Sequence, residues 1–276
     1  MKKPAFLLAA SIFAAAPTGA RAAEPAPLPP PQVKEQKQEG YIVTLSLIGA
    51  VSPSFPGSRL MRPYPFPALN FREIGEAERF ATPDDGFGLA LVDAYGFRAG
   101  PVANFTFHRG QRDGLFGLHN IKLTHEVGGF VEATPSDNFR ARLELRQGID
   151  GHGGFVATLG ADYHRGIGAF HVSAGPRLNF GDNRYASAYY SVTPWESLLN
   201  GRLQPYTAQG GFTAAGGMAT VRYDFNEKTS ATVYGGAQRL LGSVAGSPIP
   251  SNIGSRDQFS AGLAISRSFE VLFKPW

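Results

Sequence analysis

The chain has 276 residues, 26 Lys and Arg against 22 Asp and Glu, a formal net charge of +4, and no cysteine. The missing cysteines exclude disulfides, thiolate metal sites and a cysteine nucleophile. The 34 glycines exceed the usual share of roughly 7% and disfavour helix interiors, and beyond residue 22 no apolar run reaches the ~20 residues of a membrane helix, so a helical membrane protein is excluded.

Taken from the start, Lys2 and Lys3 precede an apolar run from Pro4 to Ala16, and Ala20-Arg21-Ala22 follows as a small-x-small triplet. That order predicts a secretory signal peptide over 1–22, cleaved after Ala22. Cleavage would remove Lys2, Lys3 and Arg21 and with them most of the net positive charge. The charge therefore gives no support for a nucleic-acid partner, which needs a basic stripe on the mature chain. Residues 23–39 begin with Pro25, Pro27 and Pro29-Pro30-Pro31 and turn charged through Lys34, Glu35, Lys37 and Glu39. Such a segment favours an extended, solvated conformation and is expected to form a periplasmic arm.

From Gly40 onward the pattern has period two. In 138–146, Phe139, Ala141, Leu143 and Leu145 fall on one face and Arg140, Arg142, Glu144 and Arg146 on the other. The same alternation recurs from Phe155 to His164, from Phe170 to Asn179, from Ala219 to Asn226 and from Gln258 to Ser266. A half-buried strand of a soluble sandwich gives this pattern, but so many strands of similar length favour a transmembrane barrel with lipid-facing apolar rows and lumen-facing polar rows. Short turns are expected at Gly75-Glu76, 134–137, 164–166 and Asn226-Glu227, with long loops at 109–120, 181–207 and 242–255. The predicted strands are 40–52, 60–73, 77–82, 86–93, 95–108, 121–133, 138–148, 152–164, 167–180, 208–225, 228–241 and 256–269. The fold class is all-β: an antiparallel transmembrane β-barrel of about 12 strands, both termini periplasmic, with ten strands as the alternative if 77–93 is one interrupted strand around Pro83-Asp84-Asp85-Gly86. Closing such a sheet satisfies every backbone group without an edge. Residues 270–276 are expected to be a tail, with Phe269 ending the barrel.

In the 181–207 loop, Thr193-Pro194-Trp195-Glu196 reads as a helix start, with Thr193 as N-cap, and Gly201 as its end. Tyr185, Tyr189, Tyr190 and Trp195 also fit a ring of interfacial aromatics. The lumen-facing charged row comprises Arg140, Arg142, Glu144, Arg146, Asp162, Arg177, Arg222 and Asp224. Its arginine excess fits an anion-leaning pore; charges pairing across the lumen would instead fill it. On this reading Leu143→Arg damages the barrel and Glu144→Gln does not.

Several pieces lie in an order that resembles the MipA/OmpV family of outer-membrane proteins. They are Arg62-Pro-Tyr-Pro-Phe-Pro, the run from Arg142 through Gly151-His152-Gly153-Gly154 to Leu159-Gly-Ala-Asp-Tyr163, Ser191-Val-Thr-Pro, Arg239-Leu-Leu-Gly, Ser247-Pro-Ile and Gly254-Ser-Arg-Asp-Gln-Phe259. The resemblance implies an outer-membrane scaffold whose partners, besides outer-membrane lipids, are periplasmic murein-hydrolysis and murein-synthesis proteins: a lytic transglycosylase and a bifunctional penicillin-binding protein. Other members look porin-like or adhesion-associated. It implies no catalytic residues and no cofactor. The residues agree: His125 and Glu126 are adjacent in a strand and point to opposite faces, the glycines around His152 explain that turn, and Gly210-Gly211 and Gly216-Gly217 lack the lysine of a phosphate loop. A barrel lipid hydrolase is the remote alternative.

Overall fold

The computed structural model describes residues 40–76 and 78–272; the signal-peptide and arm expectations on 1–39, and the end of the expected tail at 273–276, lie outside the described residues. The period-two segments form β1 (Gly40–Pro53), β2 (Met61–Glu73), β3 (Phe87–Gly88), β4 (Val92–Ala94), β5 (Phe97–Thr106), β6 (Thr124–Ser136), β7 (Phe139–Ile149), β8 (Phe155–Ile167), β9 (Phe170–Gly181), β10 (Gly211–Asn226), β11 (Thr229–Leu240) and β12 (Asp257–Leu272). They make one antiparallel sheet in the order β2-β1-β12-β11-β10-β9-β8-β7-β6-β5-β3, with β4 also on β5. The sheet curls until its two ends approach: the Tyr64 ring on β2 lies 5.1 Å from the ring of Phe107, just past β5. No helix among the described residues is long and apolar enough to cross a membrane.

Exposure on β7 distinguishes a sandwich from a barrel. Arg140, Arg142, Glu144 and Arg146 are 3–7% exposed, whereas Phe139, Leu143 and Leu145 are 52%, 38% and 43% exposed. A water-soluble sheet hides its apolar row. This sheet encloses its charged row and turns leucine and phenylalanine outward, which only an apolar surrounding stabilises.

The connections alternate in length. Tyr95-Gly96, Asp137-Asn138, Gly168-Ala169 and Glu227-Lys228 turn tightly at one end, where Gly40 also pairs with Leu272. Longer loops, 107–123, 182–210 and 241–256 among them, lie at the other. Five expectations change. The sheet keeps two ends, β2 and β3, with no ladder between them among the described residues, so hydrogen bonds do not close it. Residues 134–136 belong to β6 rather than to a turn. Residues 78–82 contain no strand, and 86–93 contributes only β3 and part of β4, so among the described residues ten long strands are joined by two short ones. Residues 164–166 are not a turn, because β8 runs on to Ile167. Residues 270–272 belong to β12 rather than to a tail: Ile42 pairs with Glu270 and Tyr41 with Val271.

The long loops build a cap with its own core. It contains α1 (Asn183–Tyr190), α2 (Pro194–Asn200), α3 (Gly242–Gly246) and a π-helical turn over Ile249–Ile253. α2 starts as its sequence dictates: the Thr193 hydroxyl accepts from the Glu196 N–H, the Glu196 carboxylate accepts from the Thr193 N–H, and Gly201 closes the helix at φ 71°. Phe55, Leu115, Leu118, Val192, Leu203 and Ile249 pack around Tyr189 and Tyr190. The interfacial reading of these tyrosines is therefore corrected: Tyr189 and Tyr190 are fully buried inside the cap, with Tyr185 packed against them, and only Trp195 is exposed.

Candidate functional site

The enclosed face of β6–β9 carries a continuous ion-pair network. Glu132 accepts from Arg140 Nε at 2.8 Å, from Arg142 Nη1 at 3.1 Å and from Arg98 Nη1 at 3.1 Å. Glu144 accepts from Arg142 Nε at 2.7 Å and from Arg146. Arg146 Nε reaches Glu126 at 2.8 Å. Asp162 accepts from Arg177 Nη1 at 2.9 Å and lies 3.5 Å from Arg140 Nη1. Period two places all these side chains on one face, and antiparallel register sets the arginines of β7 between the carboxylates of β6 and β8.

The missing strand supplies the rest of the network. Residues 78–86 turn inward instead of joining the sheet. Arg140 Nη2 donates to Asp85 Oδ2 at 2.7 Å, and Arg177 Nε donates to Asp84 Oδ2 at 2.6 Å. The ring of Phe80 stacks on His164 at 4.2 Å and lies under the Arg140 guanidinium. Gly86 donates its N–H to Glu144 at 3.0 Å, in a place where a Cβ would meet Val102 at 2.6 Å and the Glu144 carboxylate at 2.9 Å. An inward segment with two adjacent aspartates neutralises the arginine excess of the strands.

Arg140, Arg142, Glu144, Arg146, Asp162 and Arg177 thus come together. Arg222 and Asp224 do not join them: they lie near the short-turn end, where Arg222 pairs with Glu78 and Asp224, and His171 lies 3.0 Å from Asp224. The anion-leaning reading is corrected, because each of the five arginines in the predicted row has a carboxylate partner. Glu144 also proves a worse place for a tolerated substitution than its row position implies, since it bridges two arginines and Gly86.

Sequence reasoning missed the partner of His152. Its ring is fully buried, accepts from the Gly154 N–H at Nδ1 (3.0 Å), and faces Glu126 with Nε2 at 3.2 Å. The Nδ1 contact fixes the tautomer with the proton on Nε2, so both ring nitrogens are engaged. Among the described residues no group of three or more His, Asp or Glu is arranged to hold a metal.

In the cap, buried Arg109 donates to the carbonyls of Tyr189 at 2.8 Å and His119 at 3.2 Å, tying the 107–123 loop to α1. Burial pushes its pKa down to about 10 and pushes that of Tyr189 up to about 12. Glu196 behaves oppositely. Burial alone would raise its pKa, but hydrogen bonds from the backbone and side chains of Thr193 and His119 hold it down to about 2.

A curled antiparallel sheet with an apolar outer surface, a charge-paired interior and a helical cap at one end defines a transmembrane β-barrel of the bacterial outer-membrane type. A family profile described as MltA-interacting protein MipA matches residues 45–269, and the chain belongs to that family. No curated protein matches it. Among solved structures, it is similar to an outer membrane channel from Pseudomonas putida F1 (12% identity, 88% of this chain and 100% of that one, TM-score 0.36). It is also similar to the N-terminal β-barrel domain of Pseudomonas aeruginosa OprF (13% identity, 84% and 100%, TM-score 0.26). A third is Neisserial surface protein A (8% identity, 83% and 97%, TM-score 0.23).

Proposed function

We propose that this protein is a non-enzymatic outer-membrane scaffold, anchored by its barrel and binding murein-hydrolysis and murein-synthesis proteins on its periplasmic side. The observation that carries this reading is the interior. A barrel wall whose charges are paired by an inward segment, beneath a cap with a buried aromatic core, is built for rigidity rather than for passage. The family description names MltA as a partner, and the resemblance implies a penicillin-binding protein as a second one. The short-turn end, where Gly40 and Leu272 meet, is assigned to the periplasm, with the signal peptide over 1–22 exporting the chain and the proline-rich arm over 23–39 as a periplasmic segment. The test is retention of MltA by the folded barrel immobilised in detergent. Saturable retention that is lost when the arm is deleted or the Asp137-Asn138 and Glu227-Lys228 turns are replaced supports the reading; retention unaffected by any of these changes would place the partner elsewhere, and no retention would sink it.

A further inference from the structure

The motif Arg62-Pro-Tyr-Pro-Phe-Pro has a place in the fold that scaffolding does not explain. The ladder between β1 and β2 keeps one register from Tyr41–Glu73 to Pro53–Met61. It is bracketed by bonds from Ile74 N–H to Gly40 O (3.0 Å) and from Ser54 N–H to Leu60 O (2.8 Å). Backbone groups in such a ladder alternate sides, so even-numbered residues of β2 bond to β1 and odd-numbered ones face away. Pro63, Pro65 and Pro67 are all odd. They line the outer edge of β2, which ends the sheet, and they remove three successive donors from it. Over 63–67 the edge therefore offers no donor to another strand, while Met61, Leu69, Phe71 and Glu73 keep theirs, so the ladder is blocked along the middle of the edge. The missing donors also leave fewer polar groups unsatisfied in an apolar surrounding, where each costs several kcal/mol.

The facing edge is finished in its own way. β3 pairs with β5 at Ala103 and Val102, and beyond that Phe105 donates its N–H to the side chain of its neighbour Asn104 at 2.8 Å rather than to a strand. The two edges meet through side chains alone, Tyr64 and Arg62 against Phe107. Behind this seam lies a cavity of about 920 Å³, at the large end for a small-molecule site. Inward-facing Tyr64, Phe66 and Phe130 line it, and so do exposed, outward-facing Leu69, Phe87 and Leu89 on the two lips. The cavity therefore runs through the seam to the outer surface of the barrel. Arg62, at the cap end of the seam, has its guanidinium 5.3 Å from the Phe107 ring and no carboxylate partner among the described residues.

We propose that this seam is a lateral entrance for a single-chain amphiphile with an anionic head group, such as a fatty acid, whose hydrocarbon chain lies on the aromatic wall of the cavity and whose head pairs with Arg62. The prolines keep the entrance from zipping shut, and the apolar lips make it continuous with the lipid phase. The test titrates the folded full-length protein, held in amphipol, with the fluorescent fatty acid parinaric acid. The chain has no native cysteine, so Tyr64→Cys with Phe107→Cys permits a short bismaleimide bridge across the seam. Saturable binding by the wild type is expected, and the bridged double variant is expected to bind at least tenfold more weakly than the same variant capped at both cysteines with a monofunctional maleimide, whatever affinity the two substitutions themselves remove from the wall. Binding that survives bridging would overturn lateral entry, and absence of saturable binding by the folded wild type would overturn the site. Arg62→Gln is expected to weaken the acid roughly tenfold, the scale of one charge-assisted hydrogen bond, and to leave the matching alcohol unchanged. An equal loss for both would overturn the assignment of the head group to Arg62.

Discussion

Glu132 is 3% exposed and holds three guanidinium groups. Removing one member of a buried charged group leaves the others desolvated and unpaired, at a cost of about 3–5 kcal/mol. Glu132→Ala is therefore expected to lower the urea midpoint of the folded barrel in micelles by that equivalent. Leu143→Arg, on the outward face, is expected to cost about 2–4 kcal/mol in a bilayer, where a cation meets hydrocarbon. Glu144→Gln falls nearer the first case than its position in a polar row implies. An unchanged midpoint for Glu132→Ala would show that the arginines find other partners. The alternation made the enclosed row legible from sequence, since period two assigns faces without any knowledge of partners. The pairings were not legible: Asp84 and Asp85 lie far from Arg140 and Arg177 in the chain, and only the inward path of 78–86 joins them.

At the scale of elements, the long strands could be read closely because both faces repeat, whereas β3 and β4 are too short to show a period and 78–86 has none. Pro83-Asp84-Asp85-Gly86 reads in the sequence as a break between two strands or within one. It is a turn, with the Thr82 N–H held by Asp85 at 2.8 Å, but it points into the barrel. A pair of acids opposite an arginine-rich row was the available signal. α2 was fully legible, because a capping box, a proline at the first position and a terminal glycine are local chemistry. The burial of α1 was not, because the tyrosine spacing fits a membrane interface as well as a packed cap. Thr193→Ala is expected to destabilise the cap by about 1 kcal/mol, read as faster amide exchange over 183–206. Glu196 gives the cap a pH dependence. Its folded pKa lies below the unfolded one, so its contribution is complete above the ordinary glutamate range and is lost as pH falls toward about 2. Fluorescence of exposed Trp195 should report loosening in that window, and Glu196→Gln should flatten the profile. A wild-type profile already flat between pH 5 and 2 would contradict the hydrogen-bonded carboxylate.

On the scale of the whole molecule, the structure separates anchoring from closure. The apolar outer rows hold the barrel in the membrane, the ion pairs brace β6–β9, the cap covers one end, and a proline-edged seam replaces the final ladder of a closed barrel. The sequence implied closure because a closed sheet satisfies every backbone group without an edge, and the prolines that line the open edge were visible only as a family-like motif until the register assigned their side. A charge-paired wall beneath a packed cap predicts that no ionic path runs from one end of this barrel to the other. Planar-bilayer recording on protein shown to be folded by its heat-dependent gel shift tests that most directly. Silence is expected under both anion and cation gradients, with current appearing only when Asp84 and Asp85 are replaced by alanine and the 183–206 cap segment is removed. Steady conductance by the intact protein would contradict it and turn the paired arginine row into the wall of a working channel.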